Sequence, residues 1–258
     1  MISNTETEKI YNVVRLLKGR KSIFFITGAG ISADSGLPTY RGIGGLYNDR
    51  TTEDGIPIEM ALSGQMLNQR PEVTWKYLAQ IEKNCRNASF NRAHQVIAEM
   101  ERRFERVWVL TQNIDGFHRD AGSRNVIEIH GNMHKLICMK CPWRAKVNDY
   151  SLLTVPPACP KCGFTVRPEV VFFGETLPAI ECQILSDELA KGFDIYFSVG
   201  TTSVFSYIQQ PILDAHYSKR PTIEINPAET EISHTVDIKI NLGAAESLDR
   251  IWKEYSSD

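Results

Sequence analysis

Residues 22–33 read Ser22-Ile23-Phe24-Phe25-Ile26-Thr27-Gly28-Ala29-Gly30-Ile31-Ser32-Ala33. The start of this stretch is an apolar run of β-formers, the pattern of a short strand buried on both faces. It runs directly into Gly-x-Gly-x-x-Ala. Glycines at that spacing let a backbone approach a pyrophosphate, and a helix that follows offers free N–H groups and the positive end of its dipole. A simple tight turn would use the same glycines, so the surroundings must decide. A dinucleotide fold of the hydride-transfer kind needs a second strand ending in an acidic residue about 20 positions on. The chain has instead Pro38-Thr39-Tyr40-Arg41-Gly42-Ile43-Gly44-Gly45-Leu46-Tyr47, a loop punctuated by Pro and Gly. Arg41 in such a loop suits folding over a bound phosphate or ribose.

Working outward, other apolar runs end in small or polar residues in the same way. Val107-Trp108-Val109-Leu110 leads to Gln112, Asn113, Ile114 and Asp115, and Val126-Ile127-Glu128-Ile129 delivers His130. Asp194–Val199 ends in Gly200-Thr201-Thr202-Ser203, a second strand-to-helix turn suited to a nucleotide. Residues 221–225 end at Asn226, and 236–240 form a last strand. In open α/β sheets ligands bind at this carboxyl edge, so agreement among separate strands argues for one shared crevice. Taken alone, Asn113 and Asp115 could merely cap a helix, with His130 a satisfied turn residue.

Helical periodicity marks Ile10, Val13, Val14 and Leu17 near the N-terminus and Leu248, Ile251, Trp252 and Tyr255 near the C-terminus. Ile184, Leu185 and Leu189 suggest another helix, and residues 50–105 are mainly helical by pattern. At 258 residues the chain can bury a large core. A net charge of −2 gives no electrostatic reason to expect nucleic-acid binding. The polar N-terminus does not read as a signal peptide, and no apolar run approaches the roughly 20 residues of a membrane span. A cytoplasmic location is the expectation.

Cys138-Met139-Lys140-Cys141 and Cys159-Pro160-Lys161-Cys162 are two Cys-x-x-Cys knuckles with 17 residues between them. Four thiolates at this spacing suit one tetrahedral Zn²⁺, structural because a closed set of four thiolates leaves no position for substrate. Two disulfides are the competing reading, disfavoured in a reducing compartment. Cys85 and Cys182 stand outside the pattern. Val170–Phe173, ended by Gly174, reads as a strand, either in the core or as an edge that pairs with an extended peptide.

In this combination the sequence resembles the sirtuins, NAD-dependent protein-lysine deacylases, in their bacterial-type branch. The resemblance rests on Gly28–Gly36, Tyr40-Arg41, Thr111–Asp115, Ile129-His130-Gly131, the four cysteines, Val171–Glu175, Gly200-Thr201 and Ile225-Asn226. It implies an α/β fold, a Rossmann-like parallel sheet domain with a smaller domain made of a helical insertion and a zinc-binding module. The large domain would span 1–44, 106–130 and 171–258, the insertion 45–105 and the zinc module 131–170. NAD, consumed as a co-substrate, would contact Gly28, Ala29, Gly30, Tyr40, Arg41, Gln112, Asn113, Ile114, Asp115, Gly200, Thr201, Thr202, Asn226 and Ala245. An acylated-lysine protein or peptide would lie beside Val171, Phe172, Phe173 and Gly174. Asn113 and Asp115 would orient the ribose and stabilise the developing cation. His130 would act as general base on a ribose hydroxyl, which its ordinary pKa of about 6.5 suits.

The resemblance has departures. Thr39 stands where sirtuins commonly carry Asp. Members of the branch that remove acidic acyl groups often use a Tyr-x-x-Arg pair, whose nearest match is Tyr77-Leu78-Ala79-Gln80. Gln80 cannot make the charge-assisted fork of an Arg, which favours deacetylation over desuccinylation. Longer-chain deacylation and protein mono-ADP-ribosyl transfer are also compatible with these motifs. Phe205-Ser206-Tyr207 replaces a Pro-containing segment.

Overall fold

The computed structural model describes residues 3–38 and 51–257. In chain order the elements are α1 (Asn4–Leu17), β1 (Ser22–Thr27), a 3-10 helix (Ala29–Ser35), α2 (Ile58–Ala61), α3 (Gly64–Gln69), α4 (Pro71–Cys85) and α5 (Arg92–Arg103). Then follow β2 (Arg106–Thr111), α6 (Phe117–Asp120), β3 (Val126–Glu128), β4 (Gly131–Cys138), β5 (Arg144–Lys146) and β6 (Val166–Val170). The chain closes with α7 (Ala179–Ala190), β7 (Ile195–Val199), α8 (Ser206–Tyr217), β8 (Thr222–Ile225), β9 (Ile238–Ile240) and α9 (Ala244–Ser257).

Six strands form one sheet in the order β3-β2-β1-β7-β8-β9, and every pairing is parallel. Side chains alternate across β1, and both faces are covered. Ile23 and Phe25 enter a core with α1, α5 and α9, while Phe24 and Ile26 enter one with α7 and α8. This two-sided burial is why the strands read as continuous apolar runs. From β1 the chain winds outward through β2 and β3, then returns to β7 on the other side. The order therefore reverses between β1 and β7, where a doubly wound sheet opens a crevice at its carboxyl edge.

A smaller lobe joins a three-stranded antiparallel sheet, order β5-β4-β6, to α2, α3 and α4. Trp75 of α4 is fully buried, packs on Tyr150 at 5.4 Å between ring centroids, and donates its indole N–H to the Val166 carbonyl at 2.9 Å. Helix and sheet are thus sewn together across the lobe.

Two expectations change here. Of the expected insertion 45–105, the described residues 51–105 do not pack as one unit, because Ala93, Val96, Ile97 and Met100 of α5 lie in the large-sheet core. Asn91 caps α5 and also donates to the Ile31 carbonyl at 2.7 Å, tying that helix to the 3-10 turn. Val170–Phe173 does not form a strand of its own either. β6 ends at Val170, and Phe173 is held by Leu62 and Gly64 through one isolated bridge to Ser63. Among the described residues no helix is long and apolar enough to cross a membrane.

Candidate active site

The first turn after β1 and the turn after β7 interlock at the switch point. Gly28 N–H donates to Val199 O at 3.1 Å, and Gly30 N–H to Gly200 O at 2.8 Å. A Cβ on Gly30 would lie 2.6 Å from Gly200 Cα, so these glycines serve the approach of one backbone to another as well as to any ligand. The element that follows is a 3-10 helix rather than an α-helix.

β2 brings the polar cluster to the same edge. Gln112 donates to Thr201 Oγ1 at 2.7 Å, bridging β2 to the β7 turn across β1. Asn113 is buried and donates to Gly28 O at 3.1 Å and to Ser32 Oγ at 3.3 Å. Asp115 is also buried, accepting from Ser32 Oγ at 2.8 Å and from Phe117 N–H at 3.0 Å. Burial pushes its carboxyl above the ordinary range, against the pull of those two donors. Ile114, between Asn113 and Asp115, also packs against the core of the smaller lobe. Asn226, at the end of β8, donates to Thr201 O at 3.1 Å, while Thr202 is exposed. The N–H of Ala245, at the start of α9, donates to Asp34 at 3.0 Å.

His130 follows β3 and comes to rest beside Gln112. Its Nδ1 lies 3.0 Å from the Gln112 carbonyl, which can only accept, so Nδ1 carries the proton and Nε2 the lone pair. Burial holds the imidazole below its ordinary pKa, against the Gln112 carbonyl, so the ring is neutral at pH near 7. Nε2 lies 2.7 Å from the Tyr207 hydroxyl, from the first turn of α8.

A cleft opens beside these groups. It is lined by Ala29, Ser32, Asn113, Ile114 and Asp115 on the sheet side, and by Ile81, Asn84 and Cys85 of α4 with Met133 on the other. Tyr77 and Gln80 do not line it. Tyr77 is buried against Asp54 through its hydroxyl, and Gln80 faces solvent, so the helix phase presents Ile81 instead. Among the described residues no Lys or Arg lines the cleft. Tyr40 and Arg41 lie outside the described residues. In the 171–174 segment, Val171 N–H donates to His130 O at 2.9 Å, Phe173 N–H donates to Leu62 O, and Phe173 O accepts from Gly64 N–H.

The four cysteines meet away from the cleft. Their sulfurs all lie within 4.8 Å of one another, with Cys138–Cys162 at 3.5 Å and Cys141–Cys159 at 3.6 Å. Four thiolates around Zn²⁺, with bonds of about 2.3 Å, make a tetrahedron with edges of roughly 3.8 Å, so the donor set fits that ion. The cysteines are free thiols, not two disulfides.

Comparison with known proteins agrees with this geometry. The Sir2 family model matches residues 28–206. "NAD-dependent protein deacylase 2" of Pseudomonas syringae pv. tomato is 47% identical over 232 residues, 89% of this chain and 93% of that protein. The chain belongs to the Sir2 family. A solved Sir2 homolog–NAD complex superposes on this Sir2 chain with a TM-score of 0.85 at 33% identity, covering 96% of this chain and 94% of the other. A Sir2–p53 peptide–NAD+ structure superposes at 0.82 with 26% identity, covering 96% and 99%.

Within this Sir2 chain, several side chains in the cleft had no role assigned from sequence. Ser32 links Asn113 and Asp115 from inside the glycine motif. Ile81, Asn84 and Cys85 were hidden because helical phase had no anchor until α4 was placed. Outside the cleft lining, Tyr207 was visible only as part of Phe205-Ser206-Tyr207, which replaces a Pro-containing segment, and its contact with His130 joins positions 77 residues apart.

Proposed function

We propose that the protein is an NAD-dependent protein-lysine deacetylase, moving the acetyl group from lysine to ADP-ribose with release of nicotinamide. The observation that carries this is the neutral, half-buried His130. Its Nδ1–H is fixed on the carbonyl of Gln112, the residue before Asn113, which leaves the Nε2 lone pair as the acceptor. Membership of a family whose relatives are named NAD-dependent protein deacylases supports it.

Asn113 and Asp115 would face the ribose and nicotinamide. The Asp115 carboxylate, held by Ser32 and Phe117, favours the positive charge that develops as the glycosidic C–N bond breaks and the acyl oxygen bonds to the same carbon. His130 Nε2 would then take the proton of a ribose hydroxyl, whose oxygen adds to the imidate carbon. Hydrolysis of that adduct frees the lysine amine and leaves O-acetyl-ADP-ribose. Gly28, Ala29, Gly30, Gln112, Ile114, Gly200, Thr201, Thr202 and Asn226 would hold the dinucleotide, with Tyr40 and Arg41 over it. Ala245 would reach the adenosine end, near the Asp34 contact.

The acetyl-lysine peptide would lie along residues 171–174. Phe173 already spends its backbone groups on Leu62 and Gly64, and Val171 its N–H on His130, so pairing falls to the Val171 carbonyl and Gly174. The cleft wall at Ile81, with no cation among the described lining residues, favours a neutral acyl group. One structural Zn²⁺ would sit on Cys138, Cys141, Cys159 and Cys162. A reducing, cytoplasmic setting keeps those thiols available.

The test is incubation with NAD and matched acetyl-, succinyl- and longer-acyl-lysine peptides, following nicotinamide and deacylated peptide by mass, beside a His130→Ala control. NAD-dependent acetyl turnover that drops by about 10²-fold or more in the control is expected. Cleavage of NAD without loss of acyl from any peptide would overturn the reading in favour of ADP-ribosyl transfer.

A further inference from the structure

The segment that departs most from the family pattern around the β7–α8 turn is the one that touches the base. Tyr207 places its hydroxyl 2.7 Å from His130 Nε2. Because Nδ1–H is committed to Gln112 O at 3.0 Å, Nε2 has a lone pair and no proton, and Tyr207 must be the donor. Burial pushes the phenol up to about 12, so it keeps that proton throughout the working range. Phe205 stacks on the Tyr207 ring, with centroids 5.5 Å apart and planes at 16°, and meets the imidazole edge-on at 6.3 Å. The phenol is therefore braced, not free to wander.

We propose that Tyr207 is a positioning residue that locks the tautomer of His130 before substrate binds and yields its place to the substrate hydroxyl. The inference rests on the deacylase reading, because the displaced bond matters only if Nε2 must take a ribose proton. The lone pair that accepts from Tyr207 is the one the base needs. A ribose hydroxyl reaching Nε2 exchanges one O–H donor for another, so Tyr207 holds the ring ready and also competes with the nucleotide. No covalent step is added: the ribose proton still goes to Nε2, and the phenol keeps its own.

Two consequences separate this from a packing role. Donation to the lone pair stabilises the neutral imidazole, so removing the hydroxyl raises the pKa of His130. The groups facing the ring support a simple outcome. Among the described residues no charged side chain contributes to the depression of His130, and a titratable neighbour of Tyr207 from α7 is the Cys182 thiol. Removing the hydroxyl also removes the competitor, so the Michaelis constant for NAD falls. One net hydrogen bond corresponds to roughly a 2- to 10-fold change, or up to about one pH unit.

Tyr207→Phe tests this, with Tyr207→Ala to expose the packing contribution of the ring. The titration of the His130 ring is read by NMR in the free enzyme, assigned by its loss in His130→Ala. In parallel, kcat and KM for NAD are taken against pH with acetyl-lysine peptide. The expected result for Tyr207→Phe is a higher His130 pKa, an acid limb of kcat/KM moved the same way, and a lower KM for NAD. A Tyr207→Phe enzyme with an unmoved His130 titration and wild-type KM overturns the proposal, leaving only packing. A fall in kcat with an unmoved titration also overturns it, in favour of a proton relay through the phenol. The NMR titration needs no turnover, so an inactive wild type would sink the deacylase reading without touching the hydrogen bond.

Discussion

Ser32 donates to Asp115 at 2.8 Å, joining the 3-10 helix after β1 to the loop after β2. The bond offsets part of the cost of burying that carboxylate, yet burial still raises its pKa. An acid with a raised folded pKa costs stability once the pH climbs past its unfolded value, and the cost is complete above the folded value. Asp115→Asn should therefore raise Tm by more at about pH 8 than near pH 4, while turnover falls by roughly 10²-fold or more. Thermal melts across that range check it. A Tm gain that is flat with pH would mean the neighbours fully compensate the charge.

Thr27 Oγ1 lies 2.9 Å from His118 Nε2, and the His118 ring lies 4.8 Å from that of His94. Burial holds His94 down to about 4 and His118 well below its ordinary value. Both must be neutral in the fold but charge readily when unfolded. Stability from this pair is present above about pH 6.5 and is lost as the pH falls toward about 4. His94→Asn, which keeps a polar atom toward Asn91, should flatten the dependence of the urea midpoint on pH in that window. An unchanged slope would assign the acid sensitivity to carboxylates elsewhere.

Chelation of the four-cysteine cluster, or Cys141→Ser, should abolish activity although none of these sulfurs lines the cleft. The lobe they hold includes β4 and β6, and Trp75 depends on Val166 of β6 for its indole partner. Loss of the ion should red-shift tryptophan emission and expose amides of residues 131–170 to exchange, with the large sheet protected. Metal analysis should return one zinc per chain. Full activity with no bound zinc would contradict this.

Ile81 is an α4 side chain that meets the cleft, one helical turn beyond Tyr77. Ile81→Arg should raise the ratio of succinyl to acetyl turnover by about 10-fold or more, since a charge-assisted fork is worth more than a neutral contact. Gln80→Arg, on the solvent side, should leave that ratio near its starting value. Peptide competition assays with both acyl groups distinguish the two.

The large sheet was legible because its strands are buried on both faces and end in polar or small residues. Ile23–Ile26, Val107–Leu110 and Ile195–Val199 each carry that signature. What failed was whatever depends on phase or partnership. Residues 171–173 look like a strand by composition, yet their backbone bonds go to Leu62, Gly64 and His130 instead of a sheet neighbour. α5 read as part of a helical insertion because periodicity tells which face is apolar, not which core receives it. The pair Tyr77 and Gln80 matched a spacing, but the rotation of α4 turned one into the lobe core and the other to water.

The contact between Gly30 and Gly200 bears on how such a protein can be altered. A methyl group at Gly30 would meet Gly200 main chain at 2.6 Å, and one at Gly200 would meet Gly30 main chain at 2.4 Å. Since the obstacle on either side is backbone, trimming a side chain cannot make room, and no pair of substitutions at these sites repairs either one. A mutational library aimed at new acyl groups should leave both codons fixed and spend its diversity on Ile81, Asn84 and Cys85, where side chains alone shape the wall.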